Sequence, residues 1–386
     1  MARFAAALSQ HPVPAEAVGE VVGQVLDDLA GAPVDLAVLF VSPHYVGAVD
    51  DIAATVRTLL GHGADPGGVL LGCTTAAVIG GAREIEDAAA VSLFAAHLPD
   101  ATLTPVHLHV ARTPEGPALV GWPGAVPRNG TFLTLADPFS FPGDAFLDRV
   151  NEAVPDLRVV GGLASAARGP GGNRLVLDDV VTPEGAVGVL VNGGIEVATV
   201  VSQGCRPIGE PWVVTRAERN VIHDLAGRPA LERLQETVDA MTPEERALLQ
   251  GGLHIGIVVD EHQSEFDRGD FLIRNVMGVD REEGAVAVGD FVDVGRTVQF
   301  HVRDAASADE DLREMLTGTR ADAALVFTCN GRGRHLFGEP DHDASVINTM
   351  LGPLPTAGMF CGGELGPVGG RNFLHGFTAS VALLRG

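Results

Sequence analysis

Four cysteines, Cys73, Cys205, Cys329 and Cys361, carry the most versatile chemistry in the sequence. They lie far apart, with no CxxC and no histidine pair at zinc-finger spacing, which points to reduced thiols rather than a disulfide scaffold or structural metal. Cys329 stands in TCNGRG and Cys361 in FCGGELG, each closing an apolar run and opening a glycine-rich one. Arg332 and Arg334 follow Cys329 closely, and nearby positive charge lowers a thiol's pKa. A nucleophile at Cys329 or Cys361 is therefore one chemistry the pattern allows; a small apolar filler is the commoner role of a free cysteine. An enzyme of the papain kind would also need an oriented histidine, and His335, His342 and His375 are near only in sequence. No catalytic residue is assigned.

The second chemistry is binding. GGELGPVGGRN (Gly362 to Asn372) sets one acid, Glu364, and one base, Arg371, in a segment otherwise free of charge. A zwitterion such as an amino acid needs such opposites, an arginine or backbone N–H groups for its carboxylate and a carboxylate for its ammonium. Cys329, Asn330, Gly331 and Arg332 form one candidate loop, and Cys361, Gly362, Gly363, Glu364, Arg371 and Asn372 the other. Arg332 or Arg371 would hold a carboxylate and Glu364 an ammonium, with Gly331, Gly362 and Gly363 allowing close backbone approach. An ordinary surface pair between Arg371 and Glu364 is the competing reading. His254, His262 and the acids from Asp260 to Asp267 read as a solvated loop rather than a metal site.

No cofactor is expected. All 26 basic residues are arginine, so a Schiff-base or Walker lysine is ruled out, and GRGRHLFG (Gly331 to Gly338) lacks dinucleotide-binding spacing. With 50 acidic side chains the net charge is −24, a field that repels nucleic acid. No apolar run approaches the ~20 residues a bilayer requires, and MARFAAALSQ is too short for a signal peptide. Membrane insertion is therefore not expected, and the cytoplasm is the expected location.

These residues need elements to position them, and the sequence supplies a repeat. Apolar run, amphipathic segment, glycine-rich run and second apolar run occur three times: DLAVLFVS to AAVSLFAAHL, TFLTLADPFSF to GAVGVLV, and ALVFTCNGRG to FTASVALL. Each copy predicts strand, helix, strand, strand, with Cys73 expected to match Cys361. Helices are expected from Asp144 to Val154, near Ser345 to Leu351, after Pro229, and behind capping boxes at Thr242 and Ser307. LHIGIVVD, FLIRNVMGVD and VDVGRTVQFHV add strands. The fold class that follows is α/β in the mixed α+β sense: two related domains, 30–216 and 217–386, with mixed sheets partly covered by helices.

LGCTTAAVIGG, GDFVDVGRTVQFHVRDA, FTCNGRGRHLFG, GMFCGGELGPVGG and the terminal LHGFTASVALL together resemble the paired N- and C-terminal domains of FIST sensory proteins, over nearly the whole chain beyond about residue 30. The resemblance implies a small-ligand sensor in intracellular signal transduction, with amino acids as ligand class. Sensing would then require an output protein acting in trans, since no kinase, cyclase, receptor or F-box segment accompanies the pair. An interaction scaffold is a further reading.

Overall fold

The computed structural model describes residues 1–62, 67–114, 116–263, 265–266 and 268–386, so Asp267 lies outside the described residues. The chain forms two compact units, one of residues 1–201, 312–374 and 378–386, the other of residues 202–311 and 375–377. The first unit thus draws on both sides of residues 215–220.

Its first copy runs β1 (Arg3–Ser9), α1 (Pro14–Asp28), β2 (Leu36–Val41), α2 (Val49–Leu59), β3 (Val69–Thr74), β4 (Val78–Gly80), β5 (Arg83–Ile85) and β6 (Val91–His97). The second runs β7 (Thr102–Thr113), β8 (Gly116–Val120), β9 (Thr131–Ala136), α3 (Gly143–Ala153), β10 (Arg158–Leu163), β11 (Leu175–Leu177), β12 (Val180–Thr182) and β13 (Ala186–Asn192). β14 (Glu196–Gln203) opens the third.

The second unit interrupts that third copy. It comprises β15 (Cys205–Glu218), β16 (Val221–Leu225), β17 (Arg228–Pro229), α4 (Ala230–Ala240), α5 (Pro243–Leu248), β18 (Leu253–Val258), β19 (Phe271–Asp280), β20 (Ala285–Val288) and β21 (Thr297–Arg303). The strand order β15-β21-β18-β19-β20-β16 closes on itself through β15–β16, giving an antiparallel barrel. Ile208, Ile255, Ile257, Phe300 and Val302 pack in its core. At α5 the Thr242 side chain accepts from Glu245 N and the Glu245 carboxylate from Thr242 N, the capping box expected from TPEE.

The third copy resumes with α6 (Ala305–Leu316), β22 (Ala323–Cys329), α7 (Gly333–Phe337), α8 (His342–Leu351), β23 (Thr356–Cys361), β24 (Glu364–Val368), β25 (Arg371–His375) and β26 (Thr378–Arg385). α6 begins before the capping box placed at Ser307, because Asp304 accepts from Ala306 N and Ser307 Oγ instead. The segment GGELGPVGGRN, read as a loop, is instead largely the two strands β24 and β25.

In each copy two parallel strands flank a helix, and the last strand pairs antiparallel with the first of them: β2 lies between β6 and β3, β9 between β13 and β10, and β22 between β26 and β23. The short strands between parallel and closing strands are exchanged. β4–β5 extends the sheet of β22 and β23, β11–β12 that of β2 and β3, and β24–β25 that of β9 and β10. Val38, Leu135 and Phe327, one from each sheet, share a single core, while helices cover outer faces. β2, β9 and β22 are buried on both faces, which explains their unbroken apolar sequences.

One glycine recurs for one reason. Gly72, Gly161 and Gly358 lie opposite Leu39, Thr134 and Val326 on the parallel neighbour, and a Cβ at each would collide with that residue's carbonyl oxygen. This register corrects the cysteine match: Cys73 faces Phe40, its third-copy counterpart Met359 faces Phe327, and Cys361 lies two residues further on. The shared glycine, not the shared cysteine, marks equivalence. Cys73 and Met359 meet in the core, sulfur to sulfur at 3.4 Å.

Candidate functional site

Parallel β22 and β23 end side by side, with Cys329 opposite Cys361. Ligand crevices in α/β folds form beyond such carboxyl ends, where strands give way to turns. Asn330 N donates to Cys361 O at 2.9 Å, holding the two ends together, and Gly331 N donates to Cys329 Sγ at 3.4 Å. Cys329 is half-buried and Asn330 exposed, whereas Cys361 is fully buried. Burial, then the neighbouring Glu364 carboxyl, pushes the Cys361 thiol up, which removes nucleophilic character there.

Arg332 is fully buried, although it follows two residues of open turn. Its Nε and Nη2 donate to Asp343 in the first turn of α8, at 2.7 and 2.8 Å. Asp343 also accepts from Thr328 Oγ1 at 2.6 Å, and His342 Nδ1 lies 3.0 Å from it. Burial pushes the Asp343 carboxyl up, but the Arg332 guanidinium and these bonds hold it well below the usual carboxylate range. The third guanidinium nitrogen, Arg332 Nη1, is buried with no hydrogen-bond partner.

Two buried acids lie within the electrostatic reach of Arg332. Glu364, on β24, accepts from Thr378 N and Oγ1 at 3.2 and 2.9 Å through Oε2, and the Cys329 thiol also donates to its carboxyl. Burial pushes it up to about 8. Glu84, on β5, accepts from Ala344 N at 3.0 Å through Oε1, while its own N–H donates to Asp341 at 2.6 Å. It too is pushed up to about 8, by burial and then by the charge of Asp343. Glu364 Oε1 and Glu84 Oε2 are buried without hydrogen-bond partners. A buried polar atom left unpaired costs ~1–3 kcal/mol, and three such atoms lie on Arg332 and on the two acids within its electrostatic reach.

The other copies lack it. The register that equates Met359 with Cys73 and Gly162 equates Glu364 with Val78 and Leu175, both buried and apolar. Where the third copy has Cys329, the first has Ser42, which accepts from Ala90 N, and the second Asp137, which accepts from Ser140, Phe139 and Asn173. Ser42 thus ties the end of β2 to the segment before β6, and Asp137 ties both its own turn and Asn173.

Cys329, Gly331, Arg332 and Glu364 are thus brought together. Gly362 N and Gly363 O are spent on Leu163, pairing with the neighbouring sheet. Arg371 and Asn372 stand apart, across the length of β24, ~13 Å at strand rise. Arg371 is exposed, its guanidinium 5.9 Å from the Phe373 ring. Asn372 is buried, accepting from Val159 N and donating to Leu157 O, a clamp between β25 and β10. Asp343 and Glu84 escaped sequence reading, since acids in a helix's first turn and in a polar turn look solvated.

No helix among the described residues is long and apolar enough to cross a membrane. The FIST N domain matches residues 35–228 and the FIST C domain residues 230–367. Uncharacterized protein Rv0628c of Mycobacterium tuberculosis (strain H37Rv) is 43% identical over 387 residues, covering 99% of both chains. Uncharacterized protein Mb0898c of Mycobacterium bovis is 43% identical over 389 residues, covering 99% of this chain and 98% of its own. The chain belongs to the FIST family, whose domains are associated with sensing in signal transduction.

Proposed function

We propose that the protein is a sensory module that binds a small polar metabolite, an amino acid in the first instance, at the carboxyl ends of β22 and β23. The observation that carries this reading is the set of unpartnered buried atoms around Arg332: one donor, Nη1, and an acceptor-capable oxygen on each of Glu364 and Glu84. Arg332 Nη1 would take the ligand's carboxylate and Glu364 its ammonium, with ionisation of Glu364 on binding. Location in the cytoplasm, with an output protein acting in trans, belongs to the same reading.

The test is titration calorimetry of the full chain with a panel of amino acids. The expected result is saturable binding of at least one member, weakened about tenfold or more in Glu364→Gln, the loss of one charge-assisted bond. No heat across the panel, with the chain folded, would overturn the reading.

A further inference from the structure

The Cys329 thiol is embedded in the polar cluster rather than in the apolar core. It accepts from Gly331 N at 3.4 Å and donates to the Glu364 carboxyl, and the Arg332 guanidinium lies within its electrostatic reach. It is also half-buried while Cys73, Cys205 and Cys361 are buried. Two independent features point to an occupant beside it: Arg332 Nη1, on a side chain with no exposed surface, and Glu364 Oε1, both without a hydrogen-bond partner. The position is specific to the third copy.

We propose that Cys329 is the reactive point of this site and adds reversibly to the carbonyl carbon of a short 2-oxo acid. The proposal rests on the β22 and β23 ends being the ligand site. The ligand's carboxylate would lie on Arg332 Nη1, placing C2 near Sγ. Glu364 starts protonated, with the Cys329 thiol donating to its carboxyl. As the S–C2 bond forms, the thiol proton passes to Glu364, the C2=O π pair moves onto oxygen, and that oxygen takes the proton Glu364 already carried, so the carboxyl ends protonated as it began. The product is a thiohemiketal; nothing is oxidised or reduced, and reversal releases the ligand unchanged.

The test uses iodoacetate, a small carboxylate that alkylates a thiol with departure of iodide, against neutral iodoacetamide, with the labelled cysteine located by peptide mass spectrometry on the full chain. A carboxylate seat beside Sγ predicts that Cys329 reacts about tenfold or more faster with iodoacetate, since one charge-assisted hydrogen bond is gained. Pyruvate should slow that labelling, and Glu364→Gln should slow both reagents alike. Arg334→Ala, which removes an exposed arginine nearby, should leave the preference intact. Equal or faster reaction with iodoacetamide, no protection by pyruvate, or a preference lost in Arg334→Ala would each overturn the proposal. Amino-acid binding that persists while Cys329 shows no preference removes the thiol step alone. Absence of both removes the site as well.

Discussion

The Arg332–Asp343 pair decides whether the third-copy strand ends are preformed. Both side chains are fully buried and joined by two hydrogen bonds, so removing one partner strands a charge in a dry setting. Asp343→Asn is expected to cost ~3–5 kcal/mol in urea unfolding; a loss below ~1 kcal/mol would mean the guanidinium finds water. Glu364 makes the opposite contribution. The folded chain keeps its proton up to about pH 8, while the unfolded carboxyl releases it near 4.5. Folding therefore takes up a proton between those values, and stability falls as pH rises across that window. Glu84 acts in the same direction. Glu364→Gln should roughly halve the decline between pH 5 and pH 8.5, read by urea unfolding at both; an unchanged decline would place the titration elsewhere. The juxtaposition of Cys329, Arg332 and Glu364 was legible in the sequence because they follow the ends of two strands of one repeat, which pair as neighbours. Asp343 and Glu84 were not, because their burial depends on partners that no local pattern reveals.

Strands carry the same lesson at the level of elements. β2, β9 and β22 were readable because burial on both faces writes an unbroken apolar run. The short exchanged strands were not, because β4 pairs with β23 nearly 280 residues away, and glycine and proline disguise β24 as a loop. The recurrent glycine offers a contrast between two substitutions of one kind. Gly358→Ala places a methyl against the Val326 carbonyl and is expected to destabilise by ~1–3 kcal/mol or more. Gly23→Ala, in open space on the exposed face of helix α1, should stabilise by ~0.5–1 kcal/mol. Thermal unfolding of both variants checks the pair, and equal shifts would contradict the register. In the barrel, His254 and His301 face each other on β18 and β21, and burial holds each down to about 4. Their unfolded forms take up protons near 6.5, so stability present above that pH is lost as pH falls toward 4.

At the scale of the whole chain, the exchange of short strands binds the amino- and carboxyl-terminal segments into one folding entity. Residues 1–228 would leave β10 without β24, and leave β4–β5 with no sheet to extend. That fragment is expected to give no cooperative unfolding transition by circular dichroism, and co-expression with residues 229–386 to restore one. A cooperative transition from the fragment alone would contradict the exchange. The same architecture contains three copies of one strand-end geometry; among the described residues at those strand ends, the third keeps unpaired buried polar atoms on and around Arg332, and this asymmetry is the basis of the proposed function. Hydrogen exchange read by mass spectrometry, with and without a bound amino acid, tests it most directly. Slowed exchange is predicted in residues 327–334 and 358–366, with none in the equivalent segments 40–46 and 135–141. Protection concentrated instead in the groove lined by Asp50, Arg57 and Asp178, or spread evenly over the three copies, would contradict the account.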